Sequence, residues 1–294
     1  MTLNQLKLLL ELKKHAFNLT LASNALNVVQ SAGTRQLQML ESELGIPLFL
    51  RKGKRLIGFT EQGKEVLEQA NVMISACQNI KNIAANFHSP EKGEIKIACT
   101  HMQAKYFLPS KLMSFRRSHP QVQIHLEQGT PDQLVEWLRE GKVDLTISTE
   151  GLSEATDLSL FPCYQWHHIL VLPHSHPLLN QPLSLETISK HSVLTYLPGI
   201  TGHDKIIQAF FDQGLKLDIS LYATDSDIIK KYVTLGLGIG IIGEMAFDPK
   251  QDSELVSLSL AKWIPHSITQ VAILKQRLNP VFVMDFIKLL SSEA

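Results

Sequence analysis

Residues 19–63 read LTLASNALNVVQSAGTRQLQMLESELGIPLFLRKGKRLIGFTEQG. Apolar residues at helical spacing, broken by polar ones, predict a short helix over Ala22–Leu26 and another over Ser31–Glu43, the second stopped by Gly45, Ile46 and Pro47. An earlier helix, Leu3 to His15, carries apolar residues at 3, 6, 9, 10 and 12. The segment RKGKRLIGFT (51–60) turns at Gly53 and continues through Leu56, Ile57 and Phe59, the pattern of a small β-hairpin. Three short helices followed by a hairpin make a winged helix-turn-helix over 1–60. A helix that enters the major groove must expose donors and acceptors. Gln30, Ser31, Thr34, Arg35 and Gln38 share such a face, while Leu37 and Leu40 turn inward. Arg51, Lys52, Lys54 and Arg55 set four cations on the wing, in reach of phosphates or the minor groove.

The charge agrees with this reading. The chain as a whole is neutral, yet residues 1–60 hold eight Lys/Arg against three Glu. A basic head on a mildly acidic body implies a polyanion as partner of the head alone, double-stranded DNA by the pattern above. Three cysteines with no Cys-x-x-Cys argue against a disulfide framework and for a reducing compartment. No charged N-terminal stretch leads into an apolar run, and no window is apolar enough to span a bilayer, so a cytoplasmic protein without membrane association is expected.

Past the hairpin, a long helix is expected from about Thr60 to Asn86, a linker over 61–89 ended by His88, Ser89 and Pro90. Val66, Ala70, Met73, Cys77, Ile80, Ala84 and Phe87 recur at intervals of four and three, a heptad seam in which large side chains alternate with small ones. Such a seam suits two helices packing on each other, a homodimer; the plainer alternative is a helix lying on its own domain. From 90 to 294 strand and helix patterns alternate, which predicts an α/β body with parallel sheet and covering helices. Strands are expected at 94–98, 122–126, 143–148, 169–172, 193–195, 239–242 and 268–274. Helices are expected at 106–118, 131–140, 204–213, from about 226, and at 280–290.

The stretch 19–63 resembles the winged helix-turn-helix of LysR-type regulators in Ala22-Ser23, Leu26, Gln30, Thr34-Arg35-Gln36, Leu40-Glu41, Leu44 to Phe49, Arg51 and Thr60-x-x-Gly63. Within that family the chain is most similar to CysB-type regulators of sulfur assimilation and cysteine synthesis. The likeness is densest in CTHMQAKYFLP (99–109), EQGTPDQL (127–134), DLTIST (144–149), FPCYQWH (161–167), LTYLPGITG (194–202) and ATDSDIIKKYVTLGLGIGII (223–242). The resemblance implies a two-lobed body like periplasmic binding proteins, with lobes at about 91–162 plus 268–294 and at about 163–267, and a ligand between them. Contacts between bodies are expected to join two such helix-paired dimers into a homo-oligomer, a dimer of dimers, and RNA polymerase is a further expected partner. Val28 and Val29 stand where the family usually caps the recognition helix with Ser or Thr, leaving Ser31 to cap one turn later; Gly33 stands where an apolar residue is usual. Each departure costs on the order of 1 kcal/mol if nothing compensates.

Thr100, Met102 and Gln103 lie between a strand end and a helix start, where α/β sheets bind ligands. Thr149 ends another strand, and Thr201 and Gly202 precede a helix in the same manner. Apart from Lys105 these segments hold no cation, so they read as a neutral donor cage for a small anion. The resemblance implies the same: Thr100, Gln103, Thr149 and Thr201 match anion-binding positions, and Tyr164 and Trp166 match pocket walls. Sulfate, an acetylated serine or a related sulfur metabolite is the expected effector. Met102 replaces a usual threonine with a thioether that donates no hydrogen bond, which favours a ligand with an organic part over bare sulfate. His174-x-His176 lacks a third metal ligand, Gly236-x-Gly238-x-Gly240 lacks the strand-before, helix-after setting of a nucleotide loop, and no nucleophile–base–acid set is present. No metal, cofactor or catalysis is therefore expected. The competing readings are a regulator of another pathway such as organosulfur use, a pure solute-binding protein, and an enzyme using His101 or Cys99.

Overall fold

A computed structural model describes residues 1–53, 55–88 and 91–291. Lys54, expected on the wing, and Ser89 and Pro90, expected to end the linker, lie outside the described residues. The chain forms two compact units, one built on Met1–His88 with Arg139–Gly141 and Gln276–Asn279, the other holding most of the remainder.

The head runs α1 (Leu3–Lys14), α2 (Leu19–Ala25), α3 (Gln30–Leu44), β1 (Phe49–Lys52), β2 (Arg55–Phe59) and α4 (Glu61–His88). Thr2 and Gln5 form a reciprocal capping box on α1. Leu6, Leu9 and Leu12 of α1 meet Ala22, Leu37, Leu40, Leu48 and Phe59 in one core. Helix α2 starts three residues earlier than its apolar pattern suggests, because the Asn18 side chain accepts from the Leu21 N–H. Helix α3 also starts earlier: Val29 is its N-cap without a side-chain bond, and Ser31 lies inside the first turn rather than capping it. Gly45 closes α3 in the left-handed region at φ 70°. Lys52 of β1 faces Arg55 of β2 across the hairpin turn.

The expected heptad seam on α4 divides in use. Leu67 and Ala70 are buried in the head core, with Val66 and Ile74 packed against it. Further along, Met73, Ile80 and Phe87 are exposed, Phe87 by 84%, as are Val72 and Ile83.

The second unit holds two five-stranded sheets. The first contains β3 (Gly93–Cys99), β4 (Val122–Gln128), β5 (Leu145–Ser148), β6 (Leu158–Trp166) and β12 (Ser267–Leu274), in the order β4-β3-β5-β12-β6. The second contains β7 (His168–Pro173), β8 (Ser192–Tyr196), β9 (Asp218–Ala223), β10 (Ile239–Gly243) and β11 (Leu255–Ser259), in the order β11-β7-β10-β8-β9. Helices α5 (Leu108–Ser118), α6 (Pro131–Arg139) and α10 (Val281–Leu290) belong with the first sheet; α7 (Leu185–Ile188), α8 (His203–Phe211) and α9 (Ser226–Thr234) belong with the second. A π-helical turn, Gln103–Phe107, precedes α5 where sequence periodicity starts the helix only at 106. The expectation of parallel sheet holds only in part: β12 runs antiparallel to both its neighbours, and β7 to both of its own. The chain passes from one sheet to the other at His167, and back through 260–266. Three strands absent from the sequence reading, β6, β9 and β11, are all edge strands, which tolerate half-exposed patterns and Pro162 in β6. No helix among the described residues is long and apolar enough to cross a membrane.

Gly33 has a packing reason. A Cβ built there would lie 2.3 Å from Ser23 Oγ, where α2 crosses α3, and Ser23 is fully buried. Gly33→Ala is therefore expected to destabilise the head by about 1–3 kcal/mol through overpacking, although alanine is the better helix former. Adding Ser23→Ala leaves only contacts of 3.5 Å and should restore stability. Urea unfolding of the full chain checks this; a Gly33→Ala protein as stable as wild type contradicts it.

Candidate functional site

Helix α3 and the hairpin enclose a groove of about 800 Å³. Gln30, Thr34 and Gln38, one helical stripe, line it together with Arg51, Gly53 and Arg55 of the wing and Thr20 of α2. Ser31 and Arg35 are exposed on the adjoining stripe, and Lys52 is exposed on β1, outside the groove's lining. Thr34 Oγ1 donates to the Gln30 carbonyl at 3.0 Å, which fixes its rotamer. Arg51 is committed internally: its guanidinium donates to Glu41 at 2.7 Å, and the other Glu41 oxygen accepts from the N–H groups of Leu48 and Phe49. Glu41 thus ties the wing to α3, a role that sequence inspection had not assigned. Its signal was an acidic residue on an otherwise basic face. Among the described residues, the expected DNA-contacting cations left to meet a polyanion are Arg35, Lys52 and Arg55.

In the body, loops at the ends of the two sheets surround a cavity of about 430 Å³. Thr100, His101, Met102, Gln128 and Thr130 line it from the first sheet, and Ile200, Thr201, Thr224, Asp225 and Ile228 from the second. No Lys or Arg is among them. The other expected residues sit behind this wall. Gln103 Nε2 donates to Thr269 Oγ1 at 3.3 Å, and Trp166 Nε1 donates to the same oxygen at 3.2 Å. Those two bonds fill both lone pairs, so the 3.1 Å contact between Thr269 and Thr149 must use the Thr269 hydrogen. Thr149 therefore accepts there and keeps its own O–H to give. Tyr164 donates to Gln103 Oε1 at 2.8 Å, and burial pushes its phenol up to about 12, so it stays a donor. Gln103, 2% exposed, has each end of its amide engaged once, which leaves one N–H donor unassigned, and Trp166, 1% exposed, has its single donor engaged. Thr269 itself, wholly buried, was missed because an isolated Thr in a strand looks like ordinary β-propensity.

Met102 borders the cavity but is only 2% exposed. It packs with Tyr196, Leu194 and Ile229 of the second sheet's core, and its sulfur accepts from Ser226 at 3.0 Å. The expectation that its thioether faces an anion is corrected: the side chain is a plug from one sheet's loop into the other sheet's core. Beside it, His101 Nε2 lies 3.1 Å from the Asp225 carboxylate, and Tyr106 donates to Asp227 at 2.8 Å. Lys105 is paired with Asp227 as well.

Thr201 and Gly202 take left-handed φ angles of 49° and 71° and aim their N–H groups at Glu150, at 3.0 and 2.6 Å. Glycine is needed at 202, since a Cβ would lie 2.5 Å from the His168 ring. His168, fully buried, is held down to about 4 by desolvation, so the neutral ring donates from Nε2 to the Thr201 carbonyl at 3.1 Å. Burial pushes the Glu150 carboxyl up to about 7 against the pull of those two amides. Neither Glu150 nor His168 stood out in the sequence; an acidic residue directly after the strand-end Thr149 was the available clue. His174 donates from Nε2 to the Ser253 carbonyl, and His176 accepts from the Leu178 N–H, so both have structural partners. Cys99 is buried and pushed up to about 12 by desolvation, which leaves it a thiol.

Two family profiles match the chain. One is described as the LysR substrate binding domain and covers residues 88–294; the other, bacterial regulatory helix-turn-helix protein, lysR family, covers residues 3–64. The chain is 40% identical over 276 residues to the HTH-type transcriptional regulator SsuR of Burkholderia cenocepacia, spanning 94% of this chain and 90% of that protein. It is 35% identical over 292 residues to the HTH-type transcriptional regulator CysB of the same organism, spanning 99% and 93%. The crystal structure of the cofactor-binding domain of the Cbl transcriptional regulator superposes with a TM-score of 0.67 at 39% identity, covering 69% of this chain and 90% of that one. Groove, cavity and profiles agree, and the chain belongs to the LysR family of DNA-binding transcriptional regulators, with a helix-turn-helix head and a ligand-binding body.

Proposed function

We propose that this regulator controls genes of sulfur assimilation or cysteine synthesis from the cytoplasm, and that a small oxyanion-bearing metabolite in the 430 Å³ cavity sets its behaviour on DNA. The observation that carries the effector reading is the lining itself: hydroxyl donors from Thr100, Thr130, Thr201 and Thr224, with no cationic side chain. Neutral donors hold an anion without a salt bridge and let it leave. Ile200, Ile228 and Pro131 add apolar wall, which suits a ligand with an organic part, such as an acetylated serine or an organic sulfonate, over bare sulfate. The CysB-type character of the sequence supports the sulfur role. In this reading the protein has no catalytic task, metal or cofactor. The exposed Met73, Ile80, Ile83 and Phe87 of α4 pair two copies, and contacts between bodies join two pairs into a tetramer, with RNA polymerase as a further partner on the promoter. A mobility-shift titration on the divergent promoter beside the gene, with sulfur metabolites added in turn, tests the whole.

Arg35→Ala should cost roughly 1–3 kcal/mol on operator DNA and much less on random DNA, as a lost base contact does. Arg55→Ala should weaken both alike and lower the salt slope by about one. Equal losses for Arg35→Ala on the two DNAs contradict base reading. Ile80→Asp puts a charge in the proposed seam and should lower the molar mass seen by light scattering; an unchanged mass contradicts the seam. Thr269→Val leaves the donors of Gln103 and Trp166 without their acceptor and should cost about 1–3 kcal/mol in chemical unfolding. Wild-type stability would show that this hub is dispensable.

A further inference from the structure

The seat at the start of α8 already holds an anion, and it is the protein's own. Glu150 follows β5 of the first sheet, yet its carboxylate accepts from the N–H groups of Thr201 and Gly202, which lead into α8 beside the second sheet. Thr201 is also part of the cavity wall. An oxyanion entering that cavity and seeking these amides would meet a carboxylate with both bonds made. Two negative groups cannot share one pair of donors, so the incoming ion must exchange with Glu150 or bind weakly beside it. We propose that Glu150 is a tethered anion that occupies the effector's seat at Thr201 and Gly202 in the free protein, and that an anionic effector binds by displacing it. The inference rests on the effector reading above and adds to it a specificity element: the seat favours ligands whose oxyanion outcompetes a carboxylate already held by its own chain.

The surroundings make this exchange dependent on protons. Glu150 faces Lys205 and Asp204 of α8, which act on it in opposite directions, and Lys205 is also tied to Ser267 and the His266 carbonyl. His168 of β7, behind the same loop, is neutral. Desolvation outweighs these effects and lifts the carboxyl to about 7. The folded state therefore holds this proton more firmly than the unfolded chain. Its stabilisation is complete below the ordinary carboxylate range and is lost as pH rises through about 7. Protonation also removes the competing charge, so anion binding should draw in a proton and tighten as pH falls.

The test compares full-length wild type with Glu150→Ala, which vacates the seat, and Glu150→Gln, which fills it with a neutral group and guards against misfolding of the alanine variant. Sulfate is titrated by calorimetry at pH 6 and pH 8, and melting is followed from pH 5 to pH 8 without ligand. Wild type should bind sulfate about tenfold more weakly at pH 8 than at pH 6, the ratio expected for one group titrating near 7. Both variants should bind tightly and alike at the two pH values. Without ligand, wild type should lose melting temperature relative to Glu150→Gln as pH rises through 7. Sulfate binding that is equal in wild type and variants at pH 8 overturns displacement while leaving the effector reading in place. No sulfate binding even by the variants overturns the seat as an oxyanion site, and displacement with it, while the reading of the cavity as the site of a ligand with an organic part stands. Parallel melting curves overturn the buried, proton-holding carboxylate.

Discussion

One hydroxyl organises the ligand-binding body. Thr269 sits on β12, the reversed strand at the heart of the first sheet, and its oxygen takes hydrogen bonds from Gln103 and Trp166 while its hydrogen goes to Thr149. A buried donor or acceptor left unpaired costs about 1–3 kcal/mol, so each partner constrains the others. Gln103 in turn orients Tyr164, whose ring packs against Phe107 tilted by 30°, the centroids 4.5 Å apart. The network fixes the π-helical turn at 103–107 against β6 and β12, and so fixes where Thr100 and Met102 meet the cavity.

A second group of contacts fastens the two sheets to each other at the cavity rim. The N-terminus of α9 presents Asp225, Ser226 and Asp227, and these take His101, Met102, Lys105 and Tyr106 in turn. On the other side Glu150 reaches the start of α8. The rim therefore combines an apolar plug, several charged contacts and one carboxylate on amide donors. Of these, the carboxylate is the one whose chemistry an oxyanion can imitate. In the proposed reading, binding at the cavity would be coupled to the fit of the two sheets through the same few residues.

Much of this was legible in the chain. The head's helices follow from apolar spacing and from Gly45 and Pro47, and the body's central strands from short buried runs such as LTIS and IGIIG. The edge strands β6, β9 and β11 escaped, although the edge strand β4 did not, because only one side of each is paired and their patterns are half exposed. Other features depend on partners far away in sequence. Gly33 reads as a defect until Ser23 is seen against it, Arg51 reads as a phosphate contact until Glu41 is seen to hold it, and Met102 reads as a ligand contact until Ser226 and Tyr196 enclose it. Trp166 was expected as a pocket wall and lies one layer behind. Spacing along the chain identifies a face; only the fold shows whether that face is already occupied.

The polar residues behind the cavity bond to one another through Thr269 and Gln103, and in the proposed reading an effector is read by the donors of the wall while this network stays intact. Hydrogen exchange at the Trp166 indole N–H, followed by NMR in the free protein and with saturating effector, tests this most directly. Slow exchange is expected in both states, because the N–H is buried and bonded to Thr269. Exchange as fast as that of an exposed indole in the free protein, or loss of protection when the effector binds, would contradict it.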